Sequence, residues 1–522
     1  MSPATSESRE PATGALIGNF PLSTAAEAAD RIAAARAVQK DWAALAWRER
    51  SEWLGKIEKW LAGHADSLAE LIGRDNGKTR IDALAAEVLP AAMALRYYRR
   101  HGKRLLRSSR IRGGNILMFN KVSRLRAVPY GVIGIITPWN YPFSIPFSEV
   151  VMALLAGNAV VLKVATDTLA VGAALEEAFA AAELPSGLFS YLNIPGKQAG
   201  KAFIEGGVDK LFFTGSTAVG RELAALAAPR LLPLVLELGG ADAAIVRADA
   251  DLDRAASGVV WAGLGNAGQS CGGVQRVLVH RSVYDAFLEK LSARVRALRV
   301  GPPLDWDSDV GCMTSVKQKR AVRDQIEACL ASGARIVARS ASGDLDSDDA
   351  FLPAIVLADA GPDAPILREE VFGPVLAVQA VDDDEQALRI AAGTPYGLTG
   401  SVWSRDRSAA RALAARMNAG AVTINDHLIS HGLAETPWGG FGDSGFGRTH
   451  GEAGFREMFR TQVIVDDILP FAAKSIWWHP YSRKLYDGLR ALLDVLYAPG
   501  ITRRLAAIPR VLRIFLRYWE RP

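Results

Sequence analysis

The chain reads as an α/β protein with two doubly wound parallel-sheet domains and a smaller β element that bridges them. Three observations predict this. Its 522 residues exceed one core, because a domain usually takes about 100–200 residues. Short apolar runs alternate with helical stretches in two successive series, at the pace of strand–helix–strand units. Ahead of the first series, a basic segment at 108–130 has β character and a Gly113-Gly114 turn, the pattern of a hairpin.

Residues 1–15 are mostly polar and are expected to be disordered. Residues 24–100 read as helices. Thr24 is an N-cap candidate, and Ala25–Gln39 and Asp82–Arg99 each carry an alanine-rich face. The first alternation places strands at Val132–Thr137, Ala159–Lys163, Phe189–Asn193 and Lys210–Thr214. Helices are expected between them at Val150–Ala156, Leu169–Leu184 and Ala218–Ala228. The second runs from Ala243 to about Asn425 through Val277–His280, Arg335–Ala338, Pro374–Ala380 and Gly400–Trp403. Ser340–Ala350, rich in Ser, Asp and Gly, reads as a surface loop. No internal repeat or long linker interrupts the pattern.

Composition narrows the function classes. Hydrophobic residues make up 49% and charged residues 22%, which suits a globular chain rather than a disordered one. Cys271, Cys312 and Cys329 are too few for a disulfide framework, and no CxxC or Cys/His cluster suggests a metal. A reducing, cytoplasmic compartment is expected. The N-terminus has no apolar signal-peptide core, and the apolar runs near 150–164 and 231–238 are too short to span a bilayer. From residue 475 on there are nine Lys/Arg against three Asp/Glu, while the rest is nearly neutral, with 52 against 53. The basic character is thus a property of the tail, and no nucleic-acid partner is expected for the body.

Four motifs carry chemistry. In Gly268-Gln-Ser-Cys-Gly-Gly-Val-Gln-Arg276, small neighbours let a substrate carbon approach the Cys271 sulfur, and backbone N–H groups can stabilise a thiolate or an oxyanion. An inert buried thiol is the competing reading, and it is preferred for Cys312 and Cys329. Glu237, inside the apolar run Leu234–Leu238 and ahead of two glycines, should be desolvated toward the range of a general base. The alternative is a structural glutamate paired with an arginine. In Thr137-Pro-Trp-Asn-Tyr-Pro142, Asn140 follows a strand end and could donate to an oxyanion, or it could close an Asx turn. In Phe213–Gly220, Gly215 opens a helix after a strand, so its N–H groups could face a phosphate. The same pattern also serves as a plain glycine turn.

These four motifs occur in a fixed order, together with Glu369-Glu-Val-Phe-Gly-Pro374 and Pro437-Trp-Gly-Gly-Phe-Gly-Asp-Ser-Gly-Phe-Gly-Arg448. So arranged, the sequence resembles the aldehyde dehydrogenase superfamily from Glu10 to about Asp466. The spacing of 34 positions from Glu237 to Cys271 suits the base–nucleophile pair of that family. The resemblance implies an NAD- or NADP-dependent enzyme that oxidises a small-molecule aldehyde to the acid. Cys271 would be the nucleophile, Asn140 the oxyanion donor, and Glu237 the base that hydrolyses the thioester. Glu237 also implies a hydrolytic rather than acyl-transferring member. Glu370 and Phe372 match positions at the nicotinamide side, and Lys163, Ser216 and the helix after Gly215 match the adenosine and pyrophosphate side. Thr137, Pro138, Trp139, Thr166, Gly196 and Gly239 complete the implied cofactor set. The implied domains are 16–107 with 131–238 for the dinucleotide, 239–440 for catalysis and 441–459 as a return to the first. Residues 108–130 with 460–468 would form the bridging and oligomerisation element of a homodimer or homotetramer.

The sequence departs from the family in several places. Lys163-Val-Ala-Thr166 stands where many members have Lys-Pro-Ser-Glu, so nothing at 166 repels a 2′-phosphate, although Asp167 follows. Glu149 and Thr449 replace a lysine and a glutamate of a proposed proton path, and Ala241-Asp242 stands where a lysine is common.

Residues 469–522 form an unusual helical, basic, amphipathic extension. Leu485, Leu489, Leu492, Leu493 and Leu496 share one face of a first helix, which Pro499-Gly500 ends. Ile501, Leu505, Ile508, Leu512, Phe515 and Trp519 share one face of a second, which Pro509 could kink. Three readings compete: docking on its own body or a neighbouring subunit, peripheral contact of 475–522 with an anionic membrane, and a lid over the aldehyde tunnel. Rival functions are a semialdehyde dehydrogenase, which needs a cationic anchor near the tunnel mouth, a long-chain aldehyde dehydrogenase at a membrane, and a non-catalytic scaffold. Specificity is expected near Asn140, before Cys271 and around Ile429–Thr436.

Overall fold

Strand order shows how the chain builds its cleft. The computed structural model describes residues 4–520 except Arg112, Asn115 and Pro362, and all but the side chain of Ile116. One sheet runs Gly445–Phe446, Leu234–Glu237, Lys210–Thr214, Val132–Ile136, Ala159–Lys163, Phe189–Tyr191. Only the two-residue edge strand is antiparallel. The strands Val132–Ile136, Ala159–Lys163 and Lys210–Thr214 are buried throughout, which explains their unbroken apolar sequence. From Val132–Ile136 the chain first builds toward one edge and then toward the other. The carboxyl end of that strand is therefore a topological switch point, where open α/β sheets bind ligands.

The second sheet has seven strands in the order Arg335–Arg339, Ile355–Ala358, Val375–Val381, Val274–His280, Asp242–Val246, Thr399–Trp403, Ala421–Ile424. Only Arg335–Arg339 is antiparallel. Glu237 ends the first sheet and Asp242 begins the second, so the two sheets meet over four residues of chain.

The N-terminus corrects an expectation. Far from being disordered, Thr5–Arg9 is a strand paired antiparallel with Leu16–Pro21. Its anchors are polar and distant in sequence. The Ser8 hydroxyl donates to buried Asp75, and Arg74 donates to Glu10 at 2.5 Å. The expected helix Asp82–Arg99 is likewise not one uniform helix. Arg80–Ala83 runs into a π turn at Leu84–Val88 and then into Leu89–Leu106. Pro90 has no N–H to give Ala86, and the Leu89 N–H bonds the Leu84 carbonyl, which widens the turn. The Thr24 cap forms as expected, with Glu27 completing a capping box.

The chain divides into two compact units. The first comprises the residues to Arg107 with Ala127–Arg460, and the second Ser108–Arg126 with Thr461 onward. In the second, Ser109–Ile111 pairs antiparallel with Lys121–Pro129, and Phe459–Asp467 is the outer strand of the same small sheet. The tail follows as two helices, Arg483–Tyr497 and Ile501–Phe515, with the second continuing through Pro509. The helices pack through Gly488, Ala491, Ala507, Val511 and Ile514, and of the apolar stripes expected to pack only Leu485, Leu489, Leu492 and Phe515 join this interior among the described residues. Leu493, Leu496, Leu505, Leu512 and Trp519 are exposed. Glycine at 488 lets the helices approach, since a Cβ there would lie 2.4 Å from Ile514. Tyr518 donates to Asn120 at 3.0 Å, so the tail docks on the loop before Lys121–Pro129.

Candidate active site

The switch point of the first sheet opens on a cleft of about 740 Å³. From the first sheet it is lined by Thr137, Pro138, Trp139 and Asn140, then by Lys163, Gly196, Gly215 and Ser216. From the second half of the unit come Cys271, Glu370 and Phe372, with Gly239 at the crossing between the sheets. Thus of the cofactor residues expected from sequence, only Thr166 is off the lining. It is exposed, as is Asp167, whose charge nevertheless reaches Lys163.

The cleft's own chemistry suits a dinucleotide. Lys163 is buried without a hydrogen-bond or ion-pair partner among the described residues, and desolvation lowers it to about 8. The helix Thr217–Ala227 begins at the cleft with Ser216 as its cap. Its first N–H groups suit a phosphate. Glycine at 239 lets the Glu370 carboxylate come close, since a Cβ would meet it at 2.6 Å. Glu370 accepts from the Gly240 N–H at 3.1 Å, and burial pushes it up to about 7. Phe372 sits at φ 54°, strained for a residue with a Cβ, with its ring edge-on to Trp139 at 5.3 Å. An unpaired cation, a helix start and a carboxyl group along one cleft fit a nucleotide's phosphates and ribose.

On its other side Cys271 opens into a narrow apolar tunnel of about 90 Å³. Ala85 and Ala86 of the π turn and Pro90 of the helix that follows it line one wall, and Trp261, Ile429 and Trp438 line others. Cys271 is the one residue, among those described, that lines both cavities. Its loop is unusual in conformation, with Asn266, Ala267 and Gly268 all at positive φ. Glycine is required at 268, where a Cβ would meet the Gly373 carbonyl at 2.1 Å. Asn266 holds this turn to the Asn140 loop by donating to the Asn140 carbonyl at 2.9 Å. Burial pushes the Cys271 thiol well up, and the nearby carboxylates of Glu370, Asp242 and Glu237 add to this.

Asn140 donates its side-chain amide to the Gln269 carbonyl at 3.0 Å, two residues before the sulfur. Sequence reasoning missed what fixes it. Lys78, fully buried, donates to the Asn140 carbonyl at 2.8 Å and pairs with buried Glu87 at 2.5 Å. Glu87 in turn accepts from the Phe143 and Ser144 N–H groups at 3.1 and 2.8 Å. No local pattern around Lys78 marks it, because its partners lie up to 62 positions away. Asp242, to which the sequence assigned no role, accepts from the Thr399 N–H and hydroxyl at 2.9 and 2.8 Å, beneath the nucleophile loop. Gln318 and Gln325, two turns apart on one face of the helix Val316–Ala331, donate to the carbonyls of Phe372 and Glu370.

Glu237 lines neither cavity. Its carboxyl group is buried beside Gly439 and Arg448, and both oxygens lack a hydrogen-bond partner among the described residues. Burial holds it well above the ordinary 4.5. The charge of Glu149 adds to this and Arg448 opposes it. Glu149 is itself pushed up to about 8 by burial.

Comparison with known proteins agrees with this geometry. The model of the aldehyde dehydrogenase family matches residues 1–464. The chain is 36% identical to the 4,4'-diapolycopene aldehyde oxidase of a Methylomonas species, over 93% of this chain and 90% of that one. It is 34% identical, over 87% of each, to a Mycolicibacterium smegmatis protein named "Putative succinate-semialdehyde dehydrogenase", NADP+-dependent by name. Among solved structures, the NAD-dependent aldehyde dehydrogenase of Sinorhizobium meliloti superposes with a TM-score of 0.85 at 30% identity, covering 92% of this chain and 93% of that one.

Proposed function

Because this chain belongs to the aldehyde dehydrogenase family and oxidises aldehydes to carboxylic acids with NAD or NADP, we propose that Cys271 is its nucleophile, Asn140 its oxyanion donor and Glu237 its hydrolytic base. The Cys271 thiolate adds to the carbonyl carbon of an aldehyde in the tunnel, and the resulting alkoxide takes a hydrogen bond from the Asn140 amide. The bound dinucleotide supplies the hydride acceptor on the cleft side. Lys163, Glu370, Phe372 and the start of helix Thr217–Ala227 hold and orient it. Glu237 then takes a proton from water as the water attacks the Cys271 thioester, which frees the acid and restores the thiol. With neither oxygen bonded, its carboxyl can turn toward the sulfur. The observation that carries this reading is that Cys271 joins the two cavities.

The tunnel favours an apolar aldehyde over an anionic semialdehyde. Among the described residues no Lys or Arg lines it, and His431 is pushed down to about 4 by burial and so stays neutral. Trp261 and Ile429 are half-exposed at its wall, and Leu89 and Met93, also exposed, follow Ala86 and Pro90 on one helix face. Steady-state kinetics across medium-chain aldehydes and succinic semialdehyde test this. The aliphatic aldehydes should give at least about a tenfold higher kcat/KM, since an unpaired carboxylate loses more than 1.4 kcal/mol in an apolar wall. A preference for the semialdehyde overturns it.

Two partner readings accompany the activity. The edge strand Phe459–Asp467, with Val463, Ile464 and Val465 exposed, would pair between copies in a homodimer or homotetramer, which light scattering tests. The basic residues 475–522 would give a peripheral contact with a membrane in the cytoplasm.

A further inference from the structure

The tail's second helix turns its longest apolar stripe outward. Leu505 and Leu512 are 57% and 60% exposed, and Ile501, Leu516 and Trp519 continue the same line. At about 100° per residue, these positions lie roughly 140° around the helix from Ala507, Val511 and Ile514, which face the partner helix. The first helix repeats the arrangement. Leu493 and Leu496 are 52% and 49% exposed, offset by a similar angle and in the same sense from Gly488 and Ala491. The helices are antiparallel, since Gly488 meets Ile514 while Ala491 clusters with Ala507 and Val511. In an antiparallel pair, equal offsets in one sense put both exposed stripes on the same side. The hairpin therefore has one continuous apolar side that no described residue of the second unit covers.

We propose that this side of the hairpin docks on an anionic phospholipid bilayer. The inference sharpens the peripheral contact proposed above to one face and one lipid chemistry, and it does not depend on the chemistry of Cys271. The charge of the helix selects the occupant. Ile501–Phe515 carries Arg503, Arg504, Arg510 and Arg513 and no acidic residue. Arg510 and Arg513 have no ion-pair or hydrogen-bond partner among the described residues, while Arg503 pairs with Asp494. An apolar stripe with Leu and Trp on one side and arginines around the rest is the form that lies in a bilayer interface. A second copy packed about a two-fold axis would instead bring the same uncompensated arginines together. Arg517 takes no part. It is buried and donates to the Ile476, Trp478 and Pro480 carbonyls, fixing the hairpin to the segment before it. Each helix has fifteen residues, and no described helix is long and apolar enough to cross a membrane, so the hairpin lies on the surface.

The test is co-sedimentation of the full chain with vesicles of equimolar phosphatidylcholine and phosphatidylglycerol, with phosphatidylcholine vesicles alone, and with anionic vesicles at about 0.5 M salt. The wild type should pellet with anionic vesicles at low salt and only weakly in the other two conditions. The double variant Leu505→Glu, Leu512→Glu should lose at least about tenfold in partitioning while keeping its turnover of a short soluble aldehyde. Both side chains are already in water, so folding is preserved. No pelleting of the wild type with anionic vesicles at low salt overturns the proposal, as does equal pelleting of the variant. A variant that keeps its vesicle binding but changes mass in light scattering assigns the face to a second copy and also overturns it. A chain inactive toward every aldehyde yet bound to vesicles would overturn the catalytic assignment and leave this one standing.

Discussion

Replacing Glu237 by glutamine separates the two halves of the reaction. The carboxyl makes no hydrogen bond, so an amide of equal size leaves no partner newly unsatisfied and the fold should hold. Removing a general base typically costs 10²–10⁴-fold, about 3–5 kcal/mol on the barrier, and here it falls on thioester hydrolysis alone. Rapid mixing with aldehyde and cofactor should therefore show a burst of about one reduced cofactor per Cys271, followed by a steady rate lower by that factor. The native enzyme should lose kcat with acid at a pH well above 4.5, because burial and Glu149 hold Glu237 up, and the variant should lack this limb. Stability adds an independent sign. A carboxyl raised in the folded state keeps a proton that the unfolded chain releases. Native stability thus falls as pH rises from about 4.5 toward the raised value, and the variant escapes that loss. Equal loss of burst and steady rate, or an unchanged steady rate, refutes the assignment of Glu237.

Three further outcomes follow from the same geometry. Cys271→Ala should abolish both burst and turnover while leaving the thermal midpoint near that of the native chain, as measured by absorbance kinetics and calorimetry. Asn140→Ala should lower kcat by about 10²–10³-fold, the usual cost of one oxyanion donor, with a smaller effect on KM. Lys78→Met should leave Glu87 buried without its cation. Losing one partner of such a pair costs about 3–5 kcal/mol, read as a lower denaturation midpoint, and kcat should fall too because the Asn140 carbonyl keeps only its Asn266 donor.

The parts of the site legible in the sequence are those whose chemistry is local. Cys271 among glycines, Glu237 in an apolar run and Asn140 at a strand end each advertise a role within a few residues. So do the buried parallel strands, since burial on both faces writes itself as an unbroken apolar run. What was illegible depends on distant partners. Ser8 and Glu10 tie down a polar strand through Asp75 and Arg74, 67 and 64 positions away, and no periodicity marks such contacts. Lys78 and Glu87 look like ordinary surface charges until the fold buries them together. Asp242 reads as the replacement of a familiar lysine, and only the register of two strands brings it under the Cys271 loop at Thr399.

The tail fails differently, and the reason is general. Periodicity shows that Leu505, Ile508 and Leu512 share a face, but a shared apolar face does not say what it meets. Close packing of two helices is limited by backbone approach, and small residues allow the shortest distance. Gly488, Ala491 and Ala507 therefore compete for the interior of the hairpin against larger leucines, and they win it because Val511 and Ile514 fill the space they leave. The leucines that lose that contest face outward, on a helix whose charges are all positive. Mutating Gly488 should expose this balance. Gly488→Leu would clash with Ile514 and the Arg510 carbonyl, drive the helices apart and lower the stability of the second unit, whereas Leu505→Glu should leave it unchanged. Proteolysis of the tail in the two variants distinguishes them. Faster cleavage of the Leu505 variant than of the Gly488 variant would show that the outward stripe, and not the small-residue seam, holds the hairpin together.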